Sequence, residues 1–410
     1  MAERGTVVVI GAGLAGLACA VRLHRAGVPV RVLESSDGVG GRVRTDLVDG
    51  FLLDRGFQVF NTAYPEAARV LDIGALDLRP FNSGLLVHRD GRRERVMLPW
   101  RHAGQALSGA LARIGTPRDK ITLAAVTARD LALPGALVRG GTERTTEAEL
   151  RHWGMSSEMI ENLVRPFFSG VVLERELETS SRIFHLLWRS FARGTIGLPA
   201  GGMGRIPAQL AARLPDGAVR LETAVTAVTE DGVALAGGGD VPAGAVVVAA
   251  DPLTAARLVP GLPVPPMRSV TTFYHAAPRS PLGEATQVVD AEGVITDTLV
   301  ITDAAPEYST DGRALISTSV LGVASDADER RVRARLGEIY GGTASWEHVA
   351  TYPIEAALPA MPPPMPLRRP VRLRPGRYVC GDHRDTGSIQ GALVSGRRAA
   401  DAVLSDVAGS

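Results

Sequence analysis

The chain has 410 residues, 45% of them hydrophobic, and a formal net charge of +1. That length exceeds one compact core and points to two domains, and the hydrophobic content excludes a disordered chain. The near-zero charge gives no electrostatic footing for nucleic acid or an anionic membrane surface.

The N-terminus runs straight into Thr6–Ile10, a β-branched apolar run that reads as a buried parallel strand. It has no basic start, apolar stretch and cleavage site of the kind that marks a secretory leader. Gly11-Ala12-Gly13-Leu14-Ala15-Gly16 follows, then a helical pattern from Leu14 to Ala26 stopped by Gly27. Val28–Leu33 is a second strand ending at Glu34. Residues 64–100 mix short apolar runs with Arg and Asp, and 101–195 read as mainly helical, including Ser156–Val164. Leu198–Met203 is a sharp break, Arg205–Leu214 a further helix, and Ala218–Ala250 a β pattern cut by Gly-rich turns. Residues 268–320 alternate as an antiparallel sheet should, and 327–340 form a charged amphipathic helix. Met361–Pro370 is a Pro-rich linker, and Arg377–Val407 returns to strand, turn and helix. No window of about 18 residues is apolar and uncharged, so no transmembrane segment is expected and the reading is a cytoplasmic protein.

The chemistry starts at the first turn. Gly11 permits its tightness, Gly13 lets the backbone approach a pyrophosphate, and Gly16 lets helix and strand pack closely. The N–H groups of the helix start, at Leu14, Ala15 and Gly16, then face the phosphates. Glu34 ends the second strand, where a carboxylate accepts from ribose hydroxyls and repels a 2′-phosphate. This fingerprint serves NAD and FAD alike. Lys120 is the chain's single lysine, and neither Cys19 nor Cys380 has a CxxC or CxxH neighbour. Metal and dithiol chemistry are therefore not expected, and both cysteines read as buried.

Gly40-Gly41-Arg42-Val43-Arg44-Thr45 resembles the GGR-x-x-T continuation of the fingerprint in the flavin amine oxidase superfamily. That superfamily includes amine oxidases, protoporphyrinogen oxidase and phytoene desaturases. The likeness recurs at Asp54-Arg55-Gly56-Phe57-Gln58, similar to the segment under the flavin ring, and at Leu198–Gly204. Val225 stands where the family reads adenine through its backbone. Val246–Pro252 resembles the strand leading to the flavin. Cys380-Gly381-Asp382 through Gly391–Gly396 resembles the C-terminal flavin motif.

The resemblance implies non-covalent FAD, held by Arg42 at the pyrophosphate, Asp382 at the ribityl stretch, and the start of the last helix at Ile389 and Gln390. It also implies a Rossmann-like α/β FAD domain (1–80, 195–265 and 370–410). An inserted α+β substrate domain would span 81–194 and 266–369. Family members often carry an Arg where this chain has Ser35-Ser36-Asp37. The water-bridged lysine of several amine oxidases has no counterpart beyond Lys120, and no aromatic pair presents itself, although Phe60, Phe167, Phe168, Trp188, Phe273 and Tyr274 are pocket candidates. The missing lysine and aromatic pair point to a larger, more apolar substrate, and an oxidoreductase of this kind implies an electron acceptor, oxygen or another. His383 and Arg55 are the catalytic candidates, His383 for moving a proton and Arg55 for tuning the flavin or orienting an acid. A flavin-dependent isomerase or mutase, and a FAD-binding protein without turnover, are the competing readings.

Overall fold

A computed structural model describes residues 5–56, 59–96 and 114–408. The run Val7–Ile10 is a strand with every residue buried, paired in parallel with Val30–Leu33 on one side and Ala245–Val248 on the other. Burial on both faces is what an uninterrupted Val/Ile run is suited to. The full order across this six-stranded sheet is Val219–Arg220, Val30–Leu33, Val7–Ile10, Ala245–Val248, Arg377–Val379 and Arg372–Arg374. Its first five strands are parallel and the last is antiparallel.

The first helix, Leu14–Arg25, buries Leu14, Leu17, Ala18, Val21 and Leu23. Gly27 ends it in the left-handed region at φ 78°. Its N–H reaches the His24 carbonyl, and the Val28 N–H reaches Leu23, which turns the chain into the second strand. The C-terminal helix, Ile389–Ala408, packs along the first helix. A small meander, Val225–Val228, Gly232–Leu235 and Asp240–Pro242, stands between the outer strand and Ala245–Val248.

A second, seven-stranded sheet runs in the order Glu347–Pro359, Met267–Ala277, Ala314–Leu321, Asp297–Val300, Val288–Asp290, Leu85–Arg89 and Arg92–Val96. All its joins are antiparallel except Val288–Asp290 with Leu85–Arg89. One face carries Phe273, Val300 and Ile316 against Val332, Leu336 and Ile339 of helix Glu329–Tyr340. The other face is divided. Tyr274, Leu299 and Leu315 enter the core of the first sheet. Leu85, Val87 and Val289 enter the core of a helical lobe with Val126, Phe168, Phe184 and Trp188.

The lobe contains Pro117–Ala132, Thr146–His152 and Ser181–Arg193. A continuous helical stretch over 157–172 completes it, with a π turn at Ile160–Val164. The aromatic candidates Phe60, Phe168, Trp188, Phe273 and Tyr274 are core residues, as their burial shows. Among the described residues, no helix is long and apolar enough to cross a membrane.

Candidate dinucleotide and flavin site

Gly11, at φ 102°, turns the chain from the first strand into the helix, and a Cβ on Gly16 would lie 2.0 Å from the Gly11 carbonyl oxygen. Gly13 is the N-cap, with no side chain capping the helix and no acid in its first turn. A Cβ on Gly13 would meet nothing within 4 Å, so the ground above it is open to a ligand. Gly40 bridges Gly13, and its N–H donates to the Ala12 carbonyl at 2.9 Å. The two glycine turns, at Gly11–Gly16 and Gly40–Gly41, therefore lie against each other.

Glu34 is buried, and its carboxylate accepts from the Ala12 N–H at 2.7 Å. Its other oxygen takes the Ser36 N–H at 2.9 Å and the Ser36 hydroxyl at 2.8 Å. Ser36 thus holds the acid in place. The Thr223 N–H donates to the Glu34 carbonyl at 2.7 Å, and Val225, two residues on, begins the strand that pairs with Gly232–Leu235.

The second cluster gathers residues far apart in the chain. Arg42 pairs with Asp382 at 2.7 Å and donates to the Ala357 carbonyl at 2.7 Å. Despite burial, the Asp382 carboxylate raises the Arg42 guanidinium, so it stays charged. Asp382 also accepts the His383 N–H at 2.9 Å. The Gly381 N–H donates to Ser395 Oγ at 3.0 Å, tying the turn to the helix that starts at Ile389. Gln390 does not point freely: its Oε1 accepts the Glu66 N–H at 3.0 Å, and Glu66 pairs with Arg397 at 2.7 Å.

His383 is 2% exposed, and neither ring nitrogen has a partner among the described residues. Burial lowers its imidazole to about 4, with help from Arg384, Arg42 and Arg369 and against the pull of Asp382. The ring is neutral near pH 7.

Arg55 forks onto Asp46 at 2.8 and 2.9 Å, and Tyr352 donates to the same carboxylate at 3.0 Å. The Arg55 hydrogen bond holds the Asp46 carboxyl below its ordinary range. The next residue, Gly56, sits at φ 85° across from Ile354 of the second sheet. Phe57 and Gln58 lie outside the described residues.

Asp54 was not singled out by sequence reasoning, and it is a hub. Its carboxylate accepts from Thr45, from the Met203 N–H at 2.9 Å and from Tyr308 at 2.9 Å. Its carbonyl accepts from Tyr274 at 2.8 Å. Burial still raises the carboxyl to about 6, because these neutral donors offset only part of the desolvation cost.

Two features of this arrangement suit a dinucleotide. The first helix start is uncapped beneath an open glycine, and a buried imidazole beside the Arg42–Asp382 pair lacks partners. A model of the flavin containing amine oxidoreductase family matches residues 14–404.

The chain belongs to that family.

It is accordingly a FAD-dependent oxidoreductase, an enzyme. Hydroxysqualene dehydroxylase of Rhodopseudomonas palustris is 29% identical over 439 residues, covering 97% of this chain and 98% of that one. Protoporphyrinogen oxidase 2 of Arabidopsis thaliana is 39% identical over a shorter stretch of 66 residues, 16% of this chain and 13% of that one. Among solved structures, a putative protoporphyrinogen oxidase from Exiguobacterium sp. 255-15 superposes with a TM-score of 0.74 at 19% identity, covering 98% of this chain and 99% of that one. Putrescine oxidase bound to putrescine gives 0.71 at 20% identity over 98% of this chain and 99% of that one. These structures share the FAD-domain architecture expected from the sequence.

Proposed function

We propose that this oxidoreductase holds FAD non-covalently and oxidises a large, mainly apolar organic substrate. The observation that carries the substrate reading is the apolar packing beside the flavin motif. The Gly387 N–H lies 3.3 Å from the Met361 sulfur. A Cβ on Gly387 would sit 3.2 Å from Leu358 Cδ1. Met361 clusters with Ile183 and Met365, and Leu187, Leu358 and Leu367 pack against them. Ile183, Met361 and Met365 are buried, and this apolar packing beside the Gly387 turn favours hydrocarbon and offers no partner to an ammonium group. Lys120, the chain's one lysine, belongs instead to the helix Pro117–Ala132. The relative that matches along the whole chain is named for hydroxysqualene, which agrees with an apolar substrate bearing one polar group.

Bound FAD supplies the hydride acceptor. Gly11, Gly13 and the N–H groups of Leu14, Ala15 and Gly16 receive its pyrophosphate. Glu34 takes the ribose hydroxyls, Val225 the adenine, and Gly40, Gly41, Arg42 and Asp382 the stretch towards the flavin. Gly56 and the helix start at Ile389 and Gln390 bracket the ring. Arg55, already forked onto Asp46, serves as a positioning residue for the 54–58 segment. Cys380 is buried in the core, and burial pushes its thiol up to about 12, which suits a packing role and not a covalent flavin link. Substrate is placed at the seam between the dinucleotide domain (1–80, 195–265, 370–410) and the substrate domain (81–194, 266–369).

Anaerobic mixing tests this reading. A panel of hydroxylated or polyunsaturated isoprenoids is expected to bleach the flavin, with recovery when oxygen or a quinone is admitted, while putrescine leaves it oxidised. Bleaching by small amines alone would overturn the apolar assignment.

A further inference from the structure

His383 occupies the middle of the turn Asp382–Arg384, between the strand Arg377–Val379 and the C-terminal helix. Leaving both ring nitrogens of a buried imidazole unpaired is costly, since each has given up water for nothing. Other buried histidines are treated differently. His185 sets Nδ1 2.7 Å from Asp130 and Nε2 3.4 Å from Glu149, and His275 pairs with Glu329 at 3.0 Å. His88 shares the unpaired state, but it stands in the second sheet near Arg335 and Asp290.

The charges that bear on the His383 ring are mostly of one sign. Arg384, Arg42 and Arg369 are cations, and Asp382 is the one carboxylate among them. That carboxylate is already engaged by Arg42 and by the backbone N–H of His383 itself. The Arg369 side chain donates to the His383 carbonyl at 2.7 Å, so the turn is clamped from behind. A neutral imidazole so placed offers one N–H and one lone pair. Three arginines disfavour a cationic ligand and favour an oxygen-rich anionic one. The proton-relay role fits poorly, because a ring kept neutral chiefly by burial, with three arginines adding to it, resists taking up a proton.

We propose that His383 is a direct ligand of FAD, donating its single ring N–H to an oxygen of the bound dinucleotide and passing no proton. The inference rests on the FAD site assigned above to Gly11–Gly16, Glu34, Arg42 and Asp382. It makes His383 a determinant of cofactor affinity or flavin potential.

The test uses full-length apoprotein titrated with FAD, followed by quenching of flavin fluorescence, and the flavin midpoint potential of the reconstituted protein. ADP serves as a second probe, because it carries the pyrophosphate without the flavin. His383→Leu is expected to raise the Kd for FAD about tenfold or more, or to shift the potential, and His383→Gln to recover much of the loss by restoring an N–H donor. A parallel loss of ADP affinity places the contact at the pyrophosphate. An unchanged ADP affinity places it at the ribityl–flavin end. His88→Leu, which removes an equally unpaired imidazole elsewhere, is expected to leave both readouts within about twofold of the parent.

The proposal is overturned if His383→Leu keeps the parental FAD affinity and potential, or if His88→Leu loses as much. Glu34→Ala in the same titration separates the two readings. Its loss of FAD together with an unaffected His383→Leu removes only this inference, whereas no loss in Glu34→Ala removes the site assignment itself. Should the Leu variant not fold, His383→Met carries the same comparison.

Discussion

Most buried acids of this chain meet a cation or a backbone N–H: Asp290 faces Arg335, Glu66 faces Arg397, Asp382 faces Arg42, and Asp54 accepts from Met203. Asp297, 3% exposed on the divided face of the second sheet, has only Gln287 and Ser319 side chains for partners among the described residues. Burial raises its carboxyl from 3.8 to about 6. The neutral form is therefore favoured on folding, and the stabilisation this brings is present at low pH and lost as pH rises through about 6. Asp297→Asn keeps the shape and removes the ionisation. Its thermal stability is expected to exceed the parent's by roughly 1–3 kcal/mol above about pH 7, with the gain shrinking towards about pH 4. Thermal melts across that range would check this, and a pH-independent difference would count against it. Asp297 was not legible in the sequence, and Asp54 entered only as the first residue of a quoted segment, without its role as a hub. What makes each unusual is supplied by residues remote in the chain, as with Met203 and Tyr308 on Asp54. Glu34 and Asp382 could be picked out in the sequence as candidates because one ends the strand after the glycine turn and the other follows Gly381 in a quoted motif.

At the scale of elements, one glycine sets how closely the terminal helices approach, and another how tightly the first helix meets its own turn. A Cβ on Gly396 would lie 2.1 Å from the Ala15 carbonyl oxygen, and one on Gly16 would strike Gly11. Gly396→Ala is expected to cost about 1–3 kcal/mol, since backbone on the far side cannot yield. FAD retention should fall with it, because Ala15 belongs to the turn proposed to face the pyrophosphate. Unchanged melting and flavin content in the purified variant would refute this. The strands and helices themselves follow the hydrophobic pattern closely: the first helix ends at Arg25 and its glycine stop is Gly27. The π turn at Ile160–Val164 does not follow from that pattern, which predicts plain helix over Ser156–Val164. Its physical reason is Pro166, which has no N–H to donate one turn back, so the backbone register shifts before it. Strand neighbours were equally hidden. Val289 pairs with Val87, and alternation tells which face a side chain takes without naming the partner strand.

At the scale of the molecule, the two sheets share one core, in which Tyr274, Leu299 and Tyr308 lie among Val9, Leu17 and Leu53. Tyr274 and Tyr308 both end on Asp54, so separating the bodies would strip that acid of its donors. The holoprotein is therefore expected to unfold in a single transition. Removing FAD should lower the melting temperature, by about 2.7 kcal/mol of stability at a free FAD concentration of about 100 Kd. Two separated transitions in calorimetry would contradict the shared core. The sheet order carries one more consequence. Arg377–Val379 lies beside Ala245–Val248, and the last helix closes over the first. The glycine turn at 11–16 and the groups proposed to hold the other end of the cofactor, at 382–390, are separated by some 370 residues of chain. A chain lacking residues 377–396 would carry only one half of the proposed cradle, so tight flavin binding is expected to require both distant segments at once.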